Sequence, residues 1–256
     1  KIHNQGVKFT SFSGTPLNID IFNNSLSNYN AIISGKSGSG KSMCGQKIVT
    51  DLIAQGNVKA VILDKGFSFK KITTYHKGNQ FSEKFNPLQF LDPVYLKEFV
   101  VSVISESELN RKTKGLISES IEKFLSSRKK KNFTNFMDQI AECIPDIRTY
   151  FADILPYISE DDIEVKDITY VDTSLYPKTV ISPLIIYLIE YFKNIKGKKI
   201  FVFDECWEFM KNNTDYIEEC YRTFRKFDGS AIAITQSITD FLSANNQIGE
   251  IVFNNT

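Results

Sequence analysis

Short apolar runs, almost unbroken by polar residues, recur along this chain, separated by longer stretches in which apolar residues return at helical spacing. Tyr29-Asn30-Ala31-Ile32-Ile33-Ser34, Ala60-Val61-Ile62-Leu63, Thr169-Tyr170-Val171-Asp172, Lys199 to Phe203 and Ala231 to Thr235 have the length and near-continuous apolarity of strands covered on both faces. Met43 to Gln55 carries Ile48, Leu52 and Ile53 on one helical face, and Gly56 supplies a stop, so a helix is predicted between the first two strands. Strand, loop, helix and strand then form a βαβ unit. Further helices are predicted to about Asn194 and from about Asp215 to Phe227. This alternation predicts an α/β fold with a mainly parallel central sheet. Ahead of it, Val7 to Thr10 and Leu17 to Ile21 alternate around a Ser-Gly-Thr-Pro turn, the pattern of an N-terminal β-hairpin, and Ile251-Val252-Phe253 has the look of a last strand.

From about Asp92 to Glu164 the periodicity becomes helical. Leu109, Leu116, Ile117, Ile121, Phe124 and Leu125 share one face, the basic run Arg128-Lys129-Lys130-Lys131 follows, and Thr134 is placed to cap a next helix carrying Phe136, Met137 and Ile140. An all-helical subdomain over 92–165 is therefore expected, inserted between a first part of the core, 1–91, and a second, 166–256. The basic run suits a helix C-terminus, whose carbonyls attract cations; it is also the one dense patch that could touch nucleic acid.

Composition narrows the partners. Thirty-one Lys and Arg against 30 Asp and Glu give a formal net charge of +1, so no global field draws the chain to nucleic acid or to a membrane, and nucleic acid is possible but not indicated. Cys44, Cys143, Cys206 and Cys220 are too widely spaced for a zinc site or a disulfide framework. With His3 and His76 as the only histidines, a histidine-based metal or acid–base centre is not expected. The longest apolar stretch, Val180 to Phe192, holds Pro183 and Glu190 and is too short for a membrane span. No transmembrane segment is expected, and any membrane association would run through partner proteins. The abrupt ends of the chain suggest a piece of a longer protein.

The chemistry begins at Gly35 to Ser42, GKSGSGKS, a complete G-x-x-x-x-G-K-[ST] loop between a predicted strand and a predicted helix. Glycines at Gly35, Gly38 and Gly40 let successive backbone N–H groups turn toward phosphate oxygens. Lys36, Ser37, Ser39 and Met43 complete the phosphate-binding segment, Lys41 reaches the β and γ phosphates, and Ser42 ligates magnesium. The following helix directs its partial positive end at the same phosphates. Ile200-Phe201-Val202-Phe203 then delivers Asp204 and Glu205 at a strand's C-terminal end, where open α/β sheets bind ligands. This is a Walker B pattern: Asp204 for the magnesium shell, Glu205 to orient or deprotonate the attacking water. Gln236, at the end of the next strand, is a candidate γ-phosphate sensor. A strand between the phosphate loop and Walker B would mark the additional-strand, RecA-like division of P-loop NTPases. Arg222 and Arg225 sit on the helix before that strand; they suit a dipole-favoured helix end, and an arginine there could also act across a subunit boundary on a neighbour's ATP.

The ordered segments GTPLNIDIF, NYNAIISGKSGSGKS, ILDKGFSFKKI, FNPL, VDTS, FVFDECWEFM, YRTFRKFDGSAIAITQS with Thr239-Asp240, and IGEIVFNNT resemble the C-terminal ATPase domain of the TraC/VirB-type conjugative type IV secretion ATPases. The resemblance implies a RecA-like domain with an all-helical insertion that uses ATP and Mg2+. It implies assembly into homo-hexamers beside other type IV secretion subunits at the inner membrane. It also implies a cytoplasmic location at the base of the channel, where hydrolysis powers pilus assembly or substrate transfer. Family roles carry over to Lys41, Ser42, Asp204, Glu205 and Gln236, and to Arg222 or Arg225. Lys65 stands where a proline is common and Phe67 where an arginine is frequent. Two alternatives share these motifs: a DNA-translocating ATPase of the coupling-protein or FtsK/HerA type, and a nucleotide-gated scaffold with little turnover.

Overall fold

The computed structural model describes residues 6–56, 58–81, 84–104, 108–205 and 214–237, together with 250, 253, 254 and 256. Cys206, Trp207, Thr239 and Asp240 lie outside this set, as do Ile251 and Val252 of the expected last strand, whose Phe253 is helical. In chain order the elements are β1 (Val7–Thr10), β2 (Pro16–Ile19), β3 (Ala31–Ser34), α1 (Lys41–Ala54), β4 (Val58–Asp64), α2 (Lys70–Tyr75), β5 (Asn79–Gln80), α3 (Pro93–Val101), α4 (Arg111–Ser126), α5 (Phe133–Ala141), α6 (Ile147–Tyr150), β6 (Ile168–Asp172), α7 (Lys178–Asn194), β7 (Lys198–Asp204), α8 (Thr214–Thr223) and β8 (Gly229–Thr235). The chain forms two compact units: Lys1–Phe81 with Val165–Ser174 and Phe192–Thr256, and Ser82–Glu164 with Leu175–Tyr191.

The first unit is built on six parallel strands in the order β3-β8-β7-β4-β6-β5, beside a separate antiparallel β1-β2 hairpin. The unbroken apolarity of β4, β7 and β8 has its reason here, since nearly every residue of these strands is buried. On one face Ala60, Ile62, Ile200, Val202, Ile232 and Ile234 join Val49, Leu52 and Ile53 of α1 and Tyr29 in a single cluster. On the other, the alternate residues Phe201 and Phe203 meet Phe192 (centroids 5.3 Å apart) and Tyr221 (5.9 Å). Each such side chain contributes roughly 1.5–3 kcal/mol through burial.

Two features of this sheet were not read from the sequence. The strands flanking the phosphate loop's helix do not pair: β8 and β7 lie between β3 and β4, so the βαβ segment spans the middle of the sheet. The connection is decided by which strands bury their faces together, a long-range matter that neither strand encodes locally. The second is β5, a two-residue strand beside β6 that has too few residues to show a period. The interposed β8 gives the additional-strand, RecA-like arrangement.

The second unit is helical. Asp92 caps α3 by accepting the Tyr95 N–H at 2.8 Å, with Pro93 in the first turn. Ile117, Ile121 and Phe124 of α4 are buried, with Phe136 packed edge-on against Phe124 at 5.1 Å. Thr134 does not cap α5. That role falls to Asn132, whose backbone is extended and whose side chain accepts the Asn135 N–H at 2.9 Å, while Thr134 already lies in the first turn. In the basic run, Lys131 donates to the carbonyls of Phe124 and Ser127 at the end of α4, and Lys130 pairs with Glu160 at 3.5 Å.

Candidate nucleotide-binding site

The loop between β3 and α1 is held in a shape that its glycines permit. Gly38 (φ 75°) and Gly40 (φ 91°) occupy the left-handed region that side chains disfavour. A Cβ on Gly35 would come within 2.6 Å of the Ser39 hydroxyl oxygen, so a larger residue would push the loop open. Gly40 is the N-cap of α1 and accepts the Cys44 N–H at 2.9 Å, which leaves the first N–H groups of α1 without helical partners, at the positive end of its dipole. Lys41 opens the helix and extends its ammonium to the Lys36 carbonyl at 3.3 Å.

Parallel register brings the strand ends to one edge. Leu63 pairs with Phe203 and Asp204 with Ile234, so Asp64, Asp204 and the β8 terminus stand side by side. Asp204 is buried, and Ser42 donates its hydroxyl to it at 3.4 Å. Burial, and then the charges of Asp64 and Glu205, push the Asp204 carboxyl up to about 6, against the pull of Ser42 and Lys41. Glu205 adopts φ 56°, its N–H donating to the Ile234 carbonyl at 3.2 Å. Its Oε1 is buried without a hydrogen-bond partner among the described residues. Burial raises its carboxyl, while Lys41, a backbone bond from Gln236 and Lys65 lower it.

A cavity of about 700 Å³ gathers these groups: Ser37, Gly38, Gly40, Lys41, Ser42 and Met43 line it from the loop and α1, Asp204, Glu205 and Gln236 from the sheet edge. Asp64, Lys65, Gly66 and Ser68 complete the wall. The latter group was not singled out as a site from the sequence. Asp64 fixes this segment, its carboxylate accepting the Gly66 N–H at 2.8 Å, the Phe69 N–H at 3.1 Å and the Tyr170 hydroxyl at 3.4 Å. The signal available in the sequence was an aspartate ending a buried strand, as Asp204 does.

The two arginines lie apart from this cavity and differ from each other. Arg225 donates to the carbonyls of Ser27 at 2.9 Å and Asn24 at 3.1 Å and lies 5.3 Å over the Tyr29 ring. Arg222 pairs one turn back with Glu218, and its side chain is 63% exposed.

The raised Asp204 carboxyl has a consequence for stability. Its folded value, about 6, lies above the ordinary 3.8, so ionising it costs folding free energy that is absent below the ordinary value and complete above about 6. Asp204→Asn is expected to melt at a higher temperature than the native protein at pH 7.5 in the absence of nucleotide and Mg2+. The difference should vanish as pH falls below about 4. Calorimetry across that range checks the sign.

Comparison with known proteins places this geometry. The model of the TraG P-loop domain family matches residues 6–152 and 160–256. Protein TraC of Escherichia coli (strain K12) is 25% identical over 274 residues, covering 87% of this chain and 31% of TraC, so the chain spans less than a third of that relative. Among solved structures, VirB4 of Thermoanaerobacter pseudethanolicus superposes with a TM-score of 0.77 at 18% identity, over 98% of this chain and 82% of that one. The plasmid coupling protein TrwB in complex with ADP and Mg2+ superposes with a TM-score of 0.62 at 12% identity, over 98% and 73%. The family match covers nearly the whole chain and agrees with its phosphate loop, carboxylate pair and sheet order: this protein belongs to the TraG P-loop domain family.

Proposed function

We propose that this domain binds ATP with Mg2+ and hydrolyses it to drive a step of type IV secretion, in pilus assembly or substrate transfer. The observation that carries this is the convergence of Lys41, Ser42, Asp204, Glu205 and Gln236 on one cavity from three separate segments. The donor set suits the ligands. Turned-in loop N–H groups and Lys41 fit phosphate oxygens, and the Ser42 hydroxyl beside the Asp204 carboxylate offers the hard oxygen ligands that Mg2+ takes. Mg2+, when bound, neutralises phosphate charge. Lys41 would hold the β and γ phosphates, and Glu205, with an unpartnered oxygen, would take the proton of the attacking water. Gln236 would orient the γ phosphate. The helical segment over 92–165 is read as an insertion in this ATPase core. Mg2+-dependent ATP hydrolysis whose specific rate rises with protein concentration is the expected result. Absence of nucleotide binding at any concentration would overturn the assignment.

In this reading the domain acts in a homo-hexamer, beside other secretion subunits at the cytoplasmic face of the inner membrane. Among the described residues no helix is long and apolar enough to cross a membrane. In such a ring Arg222 is better disposed than Arg225 to complete a neighbour's site, because Arg225 is already engaged within its own chain. Arg225→Ala is expected to lower the melting temperature, since two carbonyls lose a charged donor, a loss of about 1.5–3 kcal/mol for each bond removed. Arg222→Ala should leave melting unchanged and lower turnover by up to about 10³-fold. Hydrolysis recovered on mixing Arg222→Ala with Glu205→Gln subunits would identify the trans arginine; no recovery in rings shown to be mixed would return Arg222 to a solvated helix end.

Translocation of DNA, the second reading, has the TrwB likeness in its favour. Against it, Lys131 and Lys130 of the one dense basic run are committed to α4 carbonyls and to Glu160, and the net charge is +1. Binding of duplex DNA that weakens steeply with salt would favour this second reading.

A further inference from the structure

We propose that Lys65 is a second lysine contact for the terminal phosphate of the bound nucleotide, supplied by the same chain from the far side of the site. The inference rests on the ATP reading of the cavity and adds to it a residue that discriminates ATP from ADP.

Sheet order supplies the geometry. Lys41 follows β3 and Lys65 follows β4, while Gln236 at the end of β8 and Glu205 at the end of β7 lie between them, since the strands run β3-β8-β7-β4. All four residues line one cavity. A phosphate held in front of Glu205 and Gln236 is thus bracketed by a lysine on each side. The charge balance calls for this second cation: Asp64, Asp204 and Glu205 put three carboxyl groups on the cavity wall, and Lys41 and Lys65 are the cations among its lining residues. A γ phosphate brought toward Glu205 meets like charge, which an adjacent ammonium offsets.

The segment carrying Lys65 is fixed. Asp64 ties down the N–H groups of Gly66 and Phe69. Gln46 of α1 donates to the Ser68 carbonyl at 2.8 Å, joining this segment to the helix that opens at Lys41. Lys65 itself is exposed and lines the cavity, so its ammonium is available to a ligand. Neither Arg222 nor Arg225 lines the cavity, and among the described residues Lys65 is the second cation that does.

The test is equilibrium binding of a non-hydrolysable ATP analogue and of ADP, both with Mg2+, to the native protein, Lys65→Ala, Lys65→Arg and Lys41→Ala. One charge-assisted contact confined to the γ phosphate predicts that Lys65→Ala binds the analogue about tenfold or more weakly. ADP affinity should stay within about twofold, Lys65→Arg should recover most of the loss, and melting temperatures should be unchanged. Lys41→Ala should instead weaken both nucleotides. Equal loss of ATP analogue and ADP in Lys65→Ala, or no loss of either, overturns the role given to Lys65 while leaving the ATP site intact. Failure of the native protein to bind either nucleotide, or wild-type binding by Lys41→Ala, overturns the ATP reading itself and this inference with it.

Discussion

Lys41→Ala is expected to abolish measurable ATP hydrolysis and to weaken binding of ATP and ADP alike, the fold remaining intact. Lys41 is the first residue of α1, is half-buried and reaches the Lys36 carbonyl, and it takes no part in the buried core. What it supplies is charge. The loop's other contributions to a phosphate are backbone N–H dipoles, and these cannot follow the β and γ oxygens as charge moves between them during transfer; a mobile ammonium can. Losing one such preorganised electrostatic contact costs about 10²–10³ in rate, before any loss in affinity. Turnover measured with saturating Mg2+ and ATP, beside a melting curve, checks both halves. Activity near the native level would sink the phosphate-loop assignment.

Glu205→Gln is expected to bind ATP at least as tightly as the native protein and to hydrolyse it about 10²–10⁴ times more slowly, the usual contribution of a positioned base. The amide keeps the shape and the left-handed backbone of Glu205. It replaces the basic carboxylate with an amide too weakly basic to take the water's proton, and it removes a negative charge that faces the phosphates. It also relieves Asp204, since the Glu205 charge is among the causes that raise the Asp204 carboxyl. The variant should therefore retain ATP after rapid gel filtration, whereas the native protein retains ADP. If Glu205→Gln turns over normally, the water is activated elsewhere, and Asp64, on the neighbouring strand and in the same cavity, is the next residue to replace.

Much of the site was legible before any fold was known because its parts are local. The octet Gly35 to Ser42 needs consecutive residues, its glycines and lysine acting on one ligand within one turn of chain. Asp204 and Glu205 could be read because a four-residue apolar run fixes both where the strand ends and which edge it reaches. The all-helical segment was legible from the spacing of Ile117, Ile121 and Phe124. Its cap at Asn132 was not, since Thr134 is as good a capping residue two positions later and the backbone conformation decides between them.

The sequence by itself determined the candidate chemistry: a complete phosphate-loop motif, an acidic pair, and their places at the ends of buried strands of an α/β sheet. Tertiary structure alone decided the rest. Strand order, with β8 and β7 between β3 and β4, follows from pairing residues about 200 positions apart, such as Ile32 with Ala233, through hydrogen bonds between backbones that are alike in every strand. That order sets Lys65 opposite Lys41 and Asp64 against Asp204. It also separates two arginines that look equivalent on one helix end: Arg225 meets the carbonyls of Asn24 and Ser27, and Arg222, among the described residues, pairs with Glu218 of its own helix. Local sequence carries no record of such encounters because the backbone carbonyls that receive Arg225 are the same in every residue; only the folded chain brings them within reach of its guanidinium.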